Sequence, residues 1–154
     1  MPKGGCLCGK LTYEFSGEPV KTVQYPWLDL VLLLADGSLQ QVLCHCLQCR
    51  KLTGSAFTTN LLIPRDNIQI EGSPKHYDFI QETGDKFTTS FCGECATLIG
   101  KETDAESFKP FLILEAGTLD EGFEQTKPDS EIFVKHRTPW LEEIKGLAQF
   151  ETKP

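Results

Sequence analysis

The stretch "VLCHCLQCRKLTGSAF", residues 42–57, places Cys44, Cys46 and Cys49 within six positions. Three thiols that close either fold around a metal ion or act as nucleophiles, and the two uses demand different surroundings. Within the stretch, "LQCRKLT" reads as a short local helix ending at Gly54, where a residue without a Cβ suits a C-terminal cap. His45 stands between two of the thiols. On a strand or tight turn its side chain points away from them, which makes it a supporting or packing residue before it is a ligand.

The other four cysteines form two pairs, Cys6 and Cys8 in "GGCLCG" and Cys92 and Cys95 in "CGEC", so all seven fall into three groups. A C-x-x-C turn brings two sulfurs to one face of a tetrahedral ion at about 2.3 Å, and Gly93 relieves the tight backbone. Cys6, Cys8, Cys92 and Cys95 together make a closed zinc site that ties the N-terminus to the late strands. With every position filled by protein, its role is folding free energy. Cys44, Cys46 and Cys49 leave a tetrahedral ion one ligand short, as a catalytic metal requires. Two alternatives stand beside that reading: a second structural zinc completed by His45, His76 or His136, and a redox pair at Cys46 and Cys49. Redox C-x-x-C motifs sit where a strand meets a helix in an α/β chain, and that alternation is missing here.

Away from the cysteines, short runs rich in β-branched and aromatic residues recur between turn signals. They include "KLTYEFSGEP", "SAFTTNLLIP", "DNIQIEG", "KHYDFIQETGD", "KFTTSF", "TLIGKE", "FLILEAGTLD" and "EIFVKH". Such spacing predicts a mostly antiparallel β protein. Residues 27–43 read as two apolar strands around Asp36-Gly37, with a buried helix over Trp27–Ala35 as the alternative. A chain of 154 residues, 40% of them hydrophobic, has the size of one domain that buries about 68–70% of its unfolded surface.

An odd number of cysteines leaves one over in a pure disulfide framework, and "MPKGGCLCGK" lacks the apolar run of a signal peptide. The expectation is a soluble, cytoplasmic protein whose thiols meet reducing conditions. "WLDLVLLLA" is too short to span a bilayer. A formal charge of −7 argues against nucleic acid and against an anionic membrane as partners.

Four stretches, "GGCLCGKLTYEFSGEP", "CHCLQCRKLTGSAF", "FCGECATLIG" and "AGTLD", followed by a proline-tryptophan near the end, resemble the glutathione-dependent formaldehyde-activating enzyme family. That family shares the zinc-containing Mss4-like β fold and includes the centromere protein V type of domain. The resemblance runs over nearly the whole chain. It implies a structural zinc at Cys6, Cys8, Cys92 and Cys95, and a second zinc at Cys44, Cys46 and Cys49 where the family's glutathione chemistry is placed. Three departures stand out: an apolar insert at about 21–43, Ala96 where relatives commonly have glycine, and Glu131 where many carry histidine.

The implied reaction joins glutathione to formaldehyde to give S-hydroxymethylglutathione, a carbon–sulfur lyase run in either direction. Arg50 and Lys51 follow the ligands and are candidates to hold a glutathione carboxylate, against the plainer reading of a solvated basic turn. Ser55 is a candidate hydrogen-bond donor to a developing oxyanion, although serine beside glycine commonly just makes a turn. Phe57 and Trp140 are candidates for a pocket wall or for the core, and Arg65 for a contact with an anionic peptide. Two other functions compete: a metal-stabilised binding module that uses the insert at Trp27–Leu34 to meet a partner or a second copy as a homodimer, and cleavage of a different glutathione conjugate.

Overall fold

A computed structural model of the protein describes residues 1–16 and 41–153. The hairpin expected over residues 27–43 therefore lies almost wholly outside the described residues. Its last positions are described, and they are strand. In chain order the first strands are β1 (Lys3–Gly5), β2 (Thr12–Phe15) and β3 (Gln41–Cys44), followed by the helix α1 (Leu47–Thr53) and β4 (Thr58–Pro64). After these come β5 (Ile68–Glu71), β6 (Lys75–Ile80), β7 (Lys86–Phe91), β8 (Leu98–Thr103), β9 (Phe111–Glu115), β10 (Pro128–Ile132) and β11 (Ala148–Phe150). The chain is mostly β, as its spacing predicts, and no helix among the described residues is long and apolar enough to cross a membrane.

The described chain falls into two compact units, residues 1–16 with 62–125, and residues 41–61 with 126–153. In the first, β2 lies between β1 and β5 in a small antiparallel sheet. The alternation in "TYEF" turns Tyr13 and Phe15 inward and Thr12 and Glu14 outward. β1 is a glycine-rich strand that alternation does not signal, and its composition has a steric reason. A Cβ at Gly4 would overlap the Thr118 carbonyl oxygen and the Tyr13 hydroxyl. The same unit carries an antiparallel run in which β7 pairs with β6 and β8, and β8 with β9.

In the second unit β3 pairs antiparallel with β4, but β10 runs parallel to both β3 and β11. The antiparallel expectation therefore fails at β10, where the chain returns beside β3 after a long excursion instead of through a hairpin. "EIFVKH" was expected as one strand, and it ends at Ile132. Phe133 takes up a left-handed conformation with φ of 56°, and Val134–His136 closes a 3-10 turn. The core of this unit is Val42, Leu43, Leu61 and Phe133 together with the three cysteines of the opening stretch.

Candidate metal centre

In the first unit, the turn after β1 brings Cys6 and Cys8 to the turn between β7 and β8 that holds Cys92 and Cys95. The Leu11 amide donates to Cys6 Sγ at 3.2 Å, and the Leu7 amide reaches the Thr97 hydroxyl at 3.1 Å, joining the two turns. Each turn places a left-handed residue directly after its second thiol: Gly9, with φ of 74°, and Ala96, with φ of 59°. Sulfur separations are 3.5 Å for Cys6–Cys8 and 3.7 Å for Cys8–Cys92. These are far too long for a disulfide. They match the edge of a tetrahedron whose centre lies at Zn–S distances of about 2.3 Å, which is about 3.8 Å.

The thiols of this group share protons unequally. The Thr97 hydroxyl and amide stabilise the Cys95 thiolate and lower it to about 5. At Cys8 the Lys10 amide favours the thiolate, but desolvation and the neighbouring sulfurs outweigh it and push the thiol up to about 12. Four sulfurs within 4.8 Å of one another thus resist ionising together unless a cation enters among them.

In the second unit, Cys44 ends β3, Cys46 is the N-cap of α1, and Cys49 faces inward from the first turn of α1. Cys46 has an extended backbone, φ −60° and ψ 152°, and its sulfur accepts the Cys49 amide at 3.3 Å. The helix spans Leu47–Thr53 and closes on left-handed Gly54, whose amide donates to the Arg50 carbonyl at 2.8 Å. This is the helix and the cap read from the sequence. The sulfurs of Cys49 and Cys44 are 3.6 Å apart, all three lie within 4.8 Å of one another, and Phe133 packs against them.

As bare thiols, two of the trio resist ionising. The Cys46 and Cys49 sulfurs and burial raise Cys44 well above its ordinary value. Cys44 lowers Cys46, but the Cys49 sulfur and burial prevail and raise it. Cys44 and Cys46 are thus held protonated as bare thiols and are poor nucleophiles, whereas a divalent cation would let the whole cluster ionise. The donor set therefore fits a metal, and three sulfurs from one short segment leave a tetrahedral ion one protein ligand short.

No histidine joins either cysteine group among the described residues. His45 is buried with its ring directed to Glu131: Nε2 lies 2.9 Å from Oε1, and because a carboxylate only accepts, Nε2 carries the proton. His76 instead meets the Ser90 hydroxyl through Nδ1 at 3.1 Å. Burial disfavours ionised Glu131, but donors from Gln149, the Ile144 amide and His45, with the Arg137 charge, outweigh it and lower its carboxyl. Sequence reasoning saw Glu131 only as a departure from a family habit. Nothing in its local pattern marks it as buried or paired with His45.

The remaining candidates scatter. Arg50 and Lys51 lie in the last turn of α1, half-buried and exposed respectively, and Ser55 is exposed just past the cap. Phe57 sits against the His45 ring with centroids 5.6 Å apart. Trp140 is 74% exposed, so the expectation that it packs in the core is corrected. Arg65 pairs with Glu102 at 3.0 Å on the surface of the first unit, so its charge is already matched.

The sequence profile of the family described as glutathione-dependent formaldehyde-activating enzyme matches residues 31–136. That span holds the three-cysteine segment and the Cys92–Cys95 turn and begins after Cys8. A solved crystal structure of a Rhodobacter sphaeroides protein is similar in fold, with 16% identity and a TM-score of 0.52. The match covers 82% of this chain and 96% of that one. No curated protein matches the chain.

Proposed function

The chain belongs to the glutathione-dependent formaldehyde-activating enzyme family, and on that premise we propose that it joins glutathione to formaldehyde at Cys44, Cys46 and Cys49 as a carbon–sulfur lyase of the S-hydroxymethylglutathione synthase type. The observation that carries this reading is the convergence of three buried sulfurs, with a Cys44–Cys49 separation of 3.6 Å. Zinc held by these three thiolates supplies, when bound, a centre at which an outside thiol loses its proton at neutral pH. The overall reaction forms one carbon–sulfur bond and moves the thiol proton to the former carbonyl oxygen, with no change of oxidation state.

The chain's own residues orient the partners. Arg50 and Lys51, at the end of the helix that carries Cys49, offer cations for a glutathione carboxylate. Gln48 precedes Cys49 and has a buried amide oxygen without a partner among the described residues. Ser55 offers a hydroxyl to the developing oxyanion. Cys6, Cys8, Cys92 and Cys95 hold a second zinc whose role is structural, because all four tetrahedral positions are protein. A cytoplasmic location accords with glutathione as the co-substrate, because glutathione keeps cytosolic thiols reduced.

Exchange NMR on formaldehyde and glutathione at equilibrium tests the reading. Catalytic amounts of zinc-loaded protein accelerate interconversion with S-hydroxymethylglutathione, and Cys46→Ser removes the acceleration while keeping the fold. No acceleration by protein carrying two zinc ions would refute it.

A further inference from the structure

The residue between the first two thiols of the three-cysteine site is held from two directions by adjacent residues of one strand. The His45 amide donates to the Ile132 carbonyl at 3.1 Å, and the His45 ring donates to Glu131 Oε1 at 2.9 Å. His45 and Glu131 are each 1% exposed. The other carboxylate oxygen, Oε2, serves a different part of the chain. It accepts the Ile144 amide at 2.9 Å and Gln149 Nε2 at 2.7 Å, with Arg137 at 3.3 Å. One carboxylate thus grips the thiol turn with one oxygen and the segment 137–149 with the other.

A buried carboxylate is an expensive way to fill a core, since desolvation disfavours it and an apolar side chain would pack there at no such cost. Its burial is tolerated here because each oxygen has a donor, His45 on Oε1 and Ile144, Gln149 and Arg137 on Oε2. Next along the chain, Phe133 packs on the three sulfurs in a left-handed conformation that a bulky residue rarely adopts, its amide tied to the Thr152 carbonyl at 3.1 Å. The end of β10 is therefore held in a costly arrangement on the side that faces the sulfurs.

We propose that Glu131 is a positioning residue which, through His45, sets the separation and direction of Cys44 and Cys46 and couples the segment 137–149 to the metal turn. The proposal rests on the reading of Cys44, Cys46 and Cys49 as a metal site. The partners that orient a site without touching its ion matter about 10–100-fold for metal affinity. Glu131→Gln keeps the shape, loses the charge and exchanges one accepting oxygen for an N–H donor group. Gln149→Ala, at an exposed residue, removes one donor from the carboxylate without touching the core.

Cobalt(II) titration of the full chain, followed through sulfur-to-cobalt charge-transfer and ligand-field bands, reads the effect. Difference spectra against Cys46→Ser isolate the three-cysteine site. The expected result is two ions bound by the parent. In Glu131→Gln, affinity at the three-cysteine site falls at least tenfold with shifted ligand-field bands, while the four-cysteine bands are unchanged. His45→Phe gives the same shift, and the double variant is no worse than either single one. Gln149→Ala gives a smaller shift of the same sign and keeps the test decisive if Glu131→Gln does not fold. Unchanged bands and affinity in the variants, even with a lower melting temperature, would reduce Glu131 to a structural role and overturn the proposal alone. A parent that binds a single ion, at the four-cysteine site, would overturn both this proposal and the metal reading beneath it.

Discussion

Ala96 offers a clean test of how the four-cysteine turns are built. It follows Cys95 with φ of 59°, is exposed, and its amide donates to the Cys92 carbonyl at 2.9 Å. A residue with a Cβ costs about 1–2 kcal/mol in the left-handed region, which glycine occupies freely. Replacing alanine by glycine also loosens the unfolded chain, at a cost of about 0.4–1 kcal/mol. Ala96→Gly should therefore stabilise the zinc-loaded protein by about 0.5–1 kcal/mol, and a chain of this size should melt about 1–4 °C higher. Gly9 supplies the reverse experiment. It has φ of 74° after Cys8, and nothing lies within 4 Å of an added Cβ, so Gly9→Ala isolates the backbone effect from steric overlap. It should lower the melting temperature by a similar amount. Thermal unfolding by circular dichroism at fixed zinc and protein concentrations measures both. If Gly9→Ala destabilises while Ala96→Gly leaves the melting temperature unchanged or lower, the reasoning about strain at Ala96 is wrong.

Three further outcomes follow from the same geometry. Lys101 and Glu115 form a buried ion pair in the first unit; Lys101→Met should cost about 3–5 kcal/mol in urea unfolding, and Lys101→Met with Glu115→Leu should recover most of it, because the penalty lies in stranding one charge. Glu131 has a lowered carboxyl, so its contribution is fully present above its unfolded value of about 4.3 and is lost as pH falls through the lower folded value. Stability of the parent should then fall more steeply below pH of about 4.3 than that of Glu131→Gln, and parallel pH–stability curves would contradict this. Cys6→Ser should lower both zinc content and melting temperature, whereas Cys46→Ser should lower zinc content by one ion with little loss of fold; equal loss of fold in both would remove the distinction between a structural site and a functional one.

The site divides by the range over which its information acts. Cys44, Cys46 and Cys49 lie close enough that their spacing, with the extended N-cap and the glycine stop at Gly54, decides both the helix and the convergence of sulfurs. The Cys6–Cys8 and Cys92–Cys95 turns are equally local, and chemistry pairs them, since half a tetrahedral site seeks another half. The alternation in "TYEF" likewise places Tyr13 and Phe15 inside, whereas the similar alternation of Tyr77 and Phe79 in β6 leaves Tyr77 exposed. The parallel course of β10 is different, because a period of two says which face a residue takes and nothing about the strand beside it.

The sequence by itself determined which residues could bind metal, in which groups, and that the surrounding chain is β. Only the tertiary structure decided what supports the three-cysteine turn. His45 and Glu131 are 86 positions apart, and a buried carboxylate looks in sequence like any surface glutamate. What separates the two is the set of donors that a distant part of the chain brings to it, and that set exists only once the backbone has folded. The left-handed Phe133 beside the sulfurs has the same origin, since packing and the Thr152 carbonyl override a local preference that points elsewhere.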